Sequence, residues 1–167
     1  MRILAIDPSL RSTGFAVLEN SGNQRRALVY GTIKNSRELL PSGCLVAIHE
    51  RVVELIGEHR PECAIFESVI YVQSYRTAIT LGSARGAALL AAAERGLPIY
   101  EYAPRRVKQS VVGRGGAAKG QVGFMVRALL GLTETPAEDA ADALAIGLTH
   151  FQNAGSAMRG VTPLQRI

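Results

Sequence analysis

The chain is predicted to fold as an α/β domain built on an open sheet, and three observations lead there. An apolar run, Ile3 to Ile6, stops abruptly at Asp7 and is followed by the turn residues Pro8, Ser9 and Gly14. A second short run, Cys63 to Phe66, stops in the same way at Glu67. Between and beyond these runs lie segments with helical periodicity. Runs of four or five residues are too short for isolated helices and read as buried strands. Asp7 and Glu67 then stand at carboxyl ends of strands, where open α/β sheets collect ligands and reacting groups.

The elements follow in order. Thr13 to Glu19 alternates small or polar with apolar residues, and after the turn Asn20-Ser-Gly-Asn23 the segment Ala27 to Ile33 alternates again. With the first run these make three sequential antiparallel strands. Ser42 is placed to cap a helix in which Leu45, Ile48, Val52, Leu55 and Ile56 form one apolar stripe, and Pro61 ends it. Cys63 to Glu67 is the fourth strand. A long Ala-rich helix runs from about Ser74 to Arg95, closed by Gly96 and Pro98. Gly82 and Gly86 fall one turn apart on it. Their expected use is close approach of another backbone, with packing inside the chain preferred over a dimer seam.

Ile99 to Tyr102 is a fifth strand between Pro98 and Pro104, and a basic segment with the loop Gly113-Arg-Gly-Gly116 follows. That loop has no Gly-Lys-Ser/Thr ending and is not a Walker A loop. Lys119 to Leu130 is a helix closed by Gly131. Pro136 starts another, whose first turn holds Glu138, Asp139 and Asp142. Residues 1–152 are expected to form one domain and residues 153–167, which lack periodicity, a mobile tail.

Size and composition bound the function. At 167 residues, roughly 70% of the unfolded chain's surface can be buried, so the core needs no metal or disulfide. A content of 47% hydrophobic and 20% charged residues excludes a disordered chain. No apolar run approaches the ~18 residues of a membrane span, and Arg2 leads straight into a short run without a signal peptide's h-region, so the cytoplasm is the expected compartment. Cys44 and Cys63 are too few and too unpatterned for a disulfide framework or a zinc site.

Nineteen Lys and Arg against fourteen Asp and Glu give a net charge of +5, which suits a polyanionic partner. The excess is concentrated: between Glu101 and Glu134 there is no acid, while Arg105, Arg106, Lys108, Arg114, Lys119 and Arg127 fall there. Asp139 and Asp142, at i and i+3 on a helix, share one face, and the two intervening alanines leave it uncrowded. The helix dipole alone accounts for many acids in a first turn. Four acids at strand and helix ends beside a basic segment need a further reason. Clustered carboxylates are hard ligands for Mg²⁺ or Mn²⁺, and two such ions about 3.5–4 Å apart activate water and stabilise the leaving oxygen in phosphodiester hydrolysis.

Five motifs carry a family resemblance. Ile6-Asp-Pro-Ser-Leu-Arg-Ser-Thr-Gly14, Ile65-Phe-Glu67, Leu81-Gly-Ser-Ala-Arg-Gly86, Arg106-Val-Lys-Gln-Ser-Val-Val-Gly113 and Asp139-Ala-Ala-Asp-Ala-Leu-Ala-Ile146 resemble, in order, the bacterial Holliday junction resolvases of the RuvC type. The resemblance runs from Arg2 to about His150. It implies an RNase H-like fold, a five-stranded mixed sheet flanked by helices on both faces, acting as a homodimer. It implies that Asp7, Glu67, Asp139 and Asp142 bind Mg²⁺, with Mn²⁺ able to substitute and two ions per site, and cut four-way DNA junctions by paired symmetric nicks in homologous recombination and DNA repair. Lys108 and Lys119 match lysines that act at the scissile phosphate. The DNA contacts are expected from these two with Arg76, Arg105, Arg106, Arg114, Tyr71 and Tyr75. Branch-migration proteins of the RuvA and RuvB kind are implied partners.

The chain departs from the family at Ile70, where the resemblance leads one to expect a Phe that can stack on an unpaired base. Tyr71 or Tyr75 is the candidate to take over that stacking, although neither matches the position. Three other readings remain open on residues alone: a structure-selective DNA binder without catalysis, an actin-like or sugar-kinase-like phosphotransferase, for which 167 residues are too few, and another nuclease of the same fold acting on RNA. His49, His59 and His150 are scattered singly and are assigned surface or core roles.

Overall fold

The computed structural model describes residues 1–22, 24–69, 74–116, 118–157 and 167. One sheet contains β1 (Arg2–Asp7), β2 (Ser12–Ser21), β3 (Gln24–Lys34), β4 (Cys63–Glu67) and β5 (Ile99–Tyr102), in the order β3-β2-β1-β4-β5. The first three strands pair antiparallel, as their alternation predicts, whereas β4 joins β1 and β5 joins β4 in parallel. The described helices are α1 (Pro41–His59), α2 (Tyr75–Glu94), α3 (Pro104–Val112), α4 (Lys119–Leu130) and α5 (Glu138–Ala157).

Helices cover both faces of the sheet. Leu4 and Ile6 of β1 pack with α1 and α2, while Ile3 and Ala5 pack with α3, α4 and α5. The central strand has no wet face, and for that reason it reads as a continuous apolar run. On α1, Ile48, Val52, Leu55 and Ile56 are buried as predicted, together with Cys44. Ser42 is not the cap. The helix begins one residue earlier at Pro41, whose fixed φ suits a first helical position, after Leu40. Ser74 does cap α2, its Oγ accepting from the Thr77 N–H at 3.2 Å.

Three further expectations are corrected. Gly82 and Gly86 do not serve packing among the described residues: there a Cβ at either would meet nothing within 4 Å, and both lie on the outer face of α2 with exposed Ile79 and Leu90. The basic segment after β5 contains a helix, α3, that the periodicity did not reveal, because only Val107 and Val111 of its nine residues are buried. Its punctuation was legible: Pro104 stands in the first turn and Gly113 at the end, with φ of 79°. Finally, α5 runs through the 152/153 boundary to Ala157, and Asn153 is buried in it, its amide donating to the Thr149 carbonyl at 2.7 Å. The remainder of the expected tail, 158–166, lies outside the described residues.

Candidate active site

Register brings the two strand-end acids together. Ile3 pairs with Cys63, Ala5 with Ile65 and Ile6 with Phe66, so Asp7 and Glu67 come next on adjacent parallel strands, about 4.8 Å apart at the backbone. Side chains alternate along a strand, and Ile3, Ala5, Cys63 and Ile65 all belong to the α3–α5 side, so Asp7 and Glu67 emerge on that side as well. Both are half-buried at the mouth of a cavity of about 260 Å³, shared with Leu81 and Pro104. A hydrogen bond from the Ser68 N–H to the Tyr102 carbonyl (2.9 Å) fixes the chain just after Glu67.

α5 crosses this face antiparallel to β1, with its amino end above the strand ends. The crossing is close. A Cβ on Gly14, the β2 residue paired with Asp7, would stand 2.0 Å from the Asp139 carbonyl oxygen. Further along, a Cβ on Gly147 would meet Leu18 at 2.5 Å. These two glycines let the helix lie directly on β1 and β2. Asp139, Asp142, Ile146 and His150 follow the i, i+3, i+7, i+11 spacing of one helical stripe. That stripe faces β4 and β5, because Ile146 is buried and His150 contacts Cys63 and Tyr102. The acid pair therefore sits at the end of the stripe nearest Asp7 and Glu67.

The Ser12 hydroxyl donates to an Asp139 carboxylate oxygen, a contact the residue pattern did not identify although Ser12 lies in the quoted motif. Asp142 lines the cleft between α4 and α5 with Gly120 and Gly123. Among the described residues no three His, Cys, Asp or Glu side chains converge on one point. Four like charges at one edge separate unless a cation draws them in. The donor set fits a hard divalent cation in kind, being all carboxylate oxygen, and in backbone placement. The first turn of α5 carries Glu138 and Asp139.

Of the basic residues, Lys108 lies one turn after Pro104, the α3 residue that lines the Asp7–Glu67 cavity, and forms no salt bridge among the described residues. Lys119 opens α4, and its side chain lies outside what is described. Arg105 and Arg106 are exposed on α3 beside a groove of about 520 Å³, with Arg106 donating to the Asn153 side chain. Arg114 and Arg76 are exposed, and Tyr75 is 91% exposed at the start of α2. Ile70 and Tyr71 lie outside the described residues.

His150 is a core residue. It is fully buried, with Nδ1 3.0 Å from the Tyr102 hydroxyl and Nε2 3.7 Å from the Cys63 thiol. Burial lowers its pKa to about 4 and raises the Tyr102 hydroxyl. The ring is therefore neutral at physiological pH, with one of its nitrogens a donor and the other an acceptor in these two contacts. Burial also raises the Cys63 thiol to about 12, which leaves it inert as a nucleophile.

Comparison with known proteins agrees with this architecture. The family model described as crossover junction endodeoxyribonuclease RuvC matches residues 3–150. The chain is 58% identical over 154 residues to a crossover junction endodeoxyribonuclease RuvC of Akkermansia muciniphila, covering 92% of each chain, and 46% identical over 157 residues to that of Alkalilimnicola ehrlichii, again covering 92% of each. The solved structure of T. thermophilus RuvC in complex with Holliday junction substrate superposes with a TM-score of 0.89 at 37% identity, over 100% of this chain and 99% of that one. The yeast mitochondrial Holliday junction resolvase Ydc2, 14% identical with a TM-score of 0.62, shares the fold. With its mixed five-stranded RNase H-like sheet and a family match spanning nearly its whole length, the chain belongs to the RuvC family of crossover junction endodeoxyribonucleases.

Proposed function

We propose that this protein resolves four-way DNA junctions by metal-dependent phosphodiester hydrolysis, with Asp7, Glu67, Asp139 and Asp142 as the metal-holding carboxylates. The observation that carries this reading is the register of β1 against β4, which sets Asp7 beside Glu67 under the end of α5 that bears the other two acids. Mg²⁺ is the cation we assign, two ions per site, with Mn²⁺ able to substitute. When bound, such ions lower the pKa of attacking water and neutralise charge on the leaving oxygen.

The protein's own groups do the rest. Ser12 holds Asp139 in one orientation by its hydroxyl. Lys108, and by the same reading Lys119, face the anionic phosphate and offset the charge that builds up as the bond breaks. Arg76, Arg105, Arg106 and Arg114 hold the flanking backbone. Tyr75, and by the same reading Tyr71, offer stacking surfaces to unpaired bases near the crossover, worth about 1–3 kcal/mol per base.

Paired nicks require two sites related by a two-fold axis, so the active species is a homodimer. The outer face of α2 supports this: Ile79 is 70% and Leu90 54% exposed, and Gly82 and Gly86 between them leave room for a second backbone. We place the protein in the cytoplasm, where branch-migration partners of the RuvA and RuvB kind deliver junctions to it. Among the described residues no helix is long and apolar enough to cross a membrane.

The test is nicking of a synthetic four-way junction by the purified protein in Mg²⁺, beside a linear duplex, an RNA–DNA hybrid and the Asp7→Asn variant. Symmetric nicks on the junction alone, lost in the variant, are expected. Junction binding without nicks in Mg²⁺ or Mn²⁺ would reduce the protein to a binder, and preferential cutting of the hybrid would make it a different nuclease.

A further inference from the structure

A second cleft, of about 530 Å³, opens beside the Asp7–Glu67 cavity on the α1–α2 side, and Leu81 lines both. Ser9, two residues beyond Asp7, reaches it from the β1–β2 connection, and Arg76 and Thr80 reach it from the first turns of α2. Among the described residues no carboxylate lines it. Its donors are also uncommitted. Arg76 is exposed, and among the described residues it forms no salt bridge and neither the Ser9 nor the Thr80 hydroxyl makes a hydrogen bond. Arg76 and Thr80, at i and i+4, share one helical face across from Ser9.

The other cation in the cleft has a different task. Arg11 donates through Nη1 to the carbonyls of Ser36 and Leu39 and to the Cys44 thiol, so it pins the loop before α1 in place. Arg11 thus shapes the wall, and Arg76 is the cation with donors to spare.

We infer that Ser9, Arg76 and Thr80 form a subsite for a backbone phosphate of the cleaved strand, one or two linkages from the phosphate that is cut beside Asp7 and Glu67. Two hydroxyls and a guanidinium match the two non-bridging oxygens of a phosphodiester, which Arg binds with paired donors. Because Asp7 and Ser9 flank Pro8 on one short connection, a phosphate seated here fixes the distance between the bound strand and the catalytic carboxylates. The subsite rests on the proposed function, since its ligand is the strand being cut.

A cycle combining protein and phosphate changes tests it. Four-way junctions each carrying one uncharged methylphosphonate, placed in turn at the linkages on either side of the cut, are titrated with wild type, Arg76→Ala and Thr80→Val without divalent cation. The wild type is expected to lose about 3–10-fold in affinity at one linkage next to the cut. The two variants should lose nothing further at that linkage while remaining sensitive elsewhere, and Arg76→Ala should lower the slope of log affinity against log salt by about 1. Losses from Arg76→Ala that multiply with the methylphosphonate loss at every linkage would overturn the subsite, with the wild type still preferring the junction over a linear duplex. A wild type without that preference would overturn the resolvase reading itself, and the subsite with it.

Discussion

Replacing Gly14 by Ala should separate junction binding from cleavage. The new Cβ would lie 2.0 Å from the Asp139 carbonyl oxygen and 2.6 Å from its carbonyl carbon. Backbone must therefore move by at least about 1 Å, to clear the 3.0 Å below which real Cβ contacts are not found. β2 cannot supply the movement, because Gly14 is paired on one side with Asp7 and on the other with Thr32. The first turn of α5 has to retreat, taking Asp139 and its Ser12 bond away from Asp7. Overpacking of this kind costs about 1–3 kcal/mol, which for a chain of this size lowers Tm by roughly 3–10 °C. A misplacement of ~1 Å in a catalytic group costs about 10²-fold in rate. Single-turnover nicking of a synthetic junction in Mg²⁺ should fall by that factor, with junction affinity within about threefold of wild type. Gly31→Ala is the control, since its Cβ would meet the Phe15 ring at 3.1 Å, a side chain able to give way. A folded Gly14→Ala protein that nicks within threefold of wild type would refute the close-crossing account of the site.

Other consequences are open to measurement. His150, lowered by burial from 6.5 to about 4, binds a proton more readily in the unfolded chain, so its contribution to stability is complete above about pH 6.5 and is lost as pH falls toward 4. Denaturation midpoints should show on the order of 3 kcal/mol of acid sensitivity that His150→Phe lacks; equal slopes in both proteins would remove the assignment. Arg85 and Glu101 form a 2.5 Å ion pair between α2 and β5, with side chains only 19% and 14% exposed. Glu101→Gln, by leaving the guanidinium without its counter-charge, should destabilise by about 2–4 kcal/mol in urea titrations, and a loss under 0.5 kcal/mol would show the pair to be solvent-screened. Gly86→Arg places a bulky cation where nothing among the described residues lies within 4 Å of a Cβ. It should leave Tm of the monomer fold unchanged while shifting sedimentation from dimer to monomer and uncoupling the paired nicks, and an unaltered dimer would exclude this face of α2 as the seam.

Much of the molecule was legible because its signals are local. The runs ending at Asp7 and Glu67, the stripe of α1, the Ala-rich interior of α2 and the Asp139–Asp142 spacing each depend on residues near one another in the chain. The strand ends are marked where continuous apolar runs stop at a carboxylate, and the acid pair by helical spacing. The short helix α3 escaped because a helix anchored by two valines presents almost no periodic signal, and its stability comes from α5 and the sheet beneath it. The outward face of Gly82 and Gly86 escaped for a related reason: a small-residue spacing says that something can approach, and only the packing of α2 on α1 and β4 leaves that face to solvent.

By itself, then, the sequence determined the α/β class, five strands, four of the five helices and the carboxylates that mark the strand and helix ends. Tertiary structure alone decided that Asp7 and Glu67 share a side of the sheet with α5, that Gly14 lets Asp139 descend onto them, and that His150 locks the helix to β4 and β5. The reason is physical. Each of these depends on register and on the distance between elements far apart in the chain, which are set when both faces of the sheet are covered at once and no local pattern encodes them.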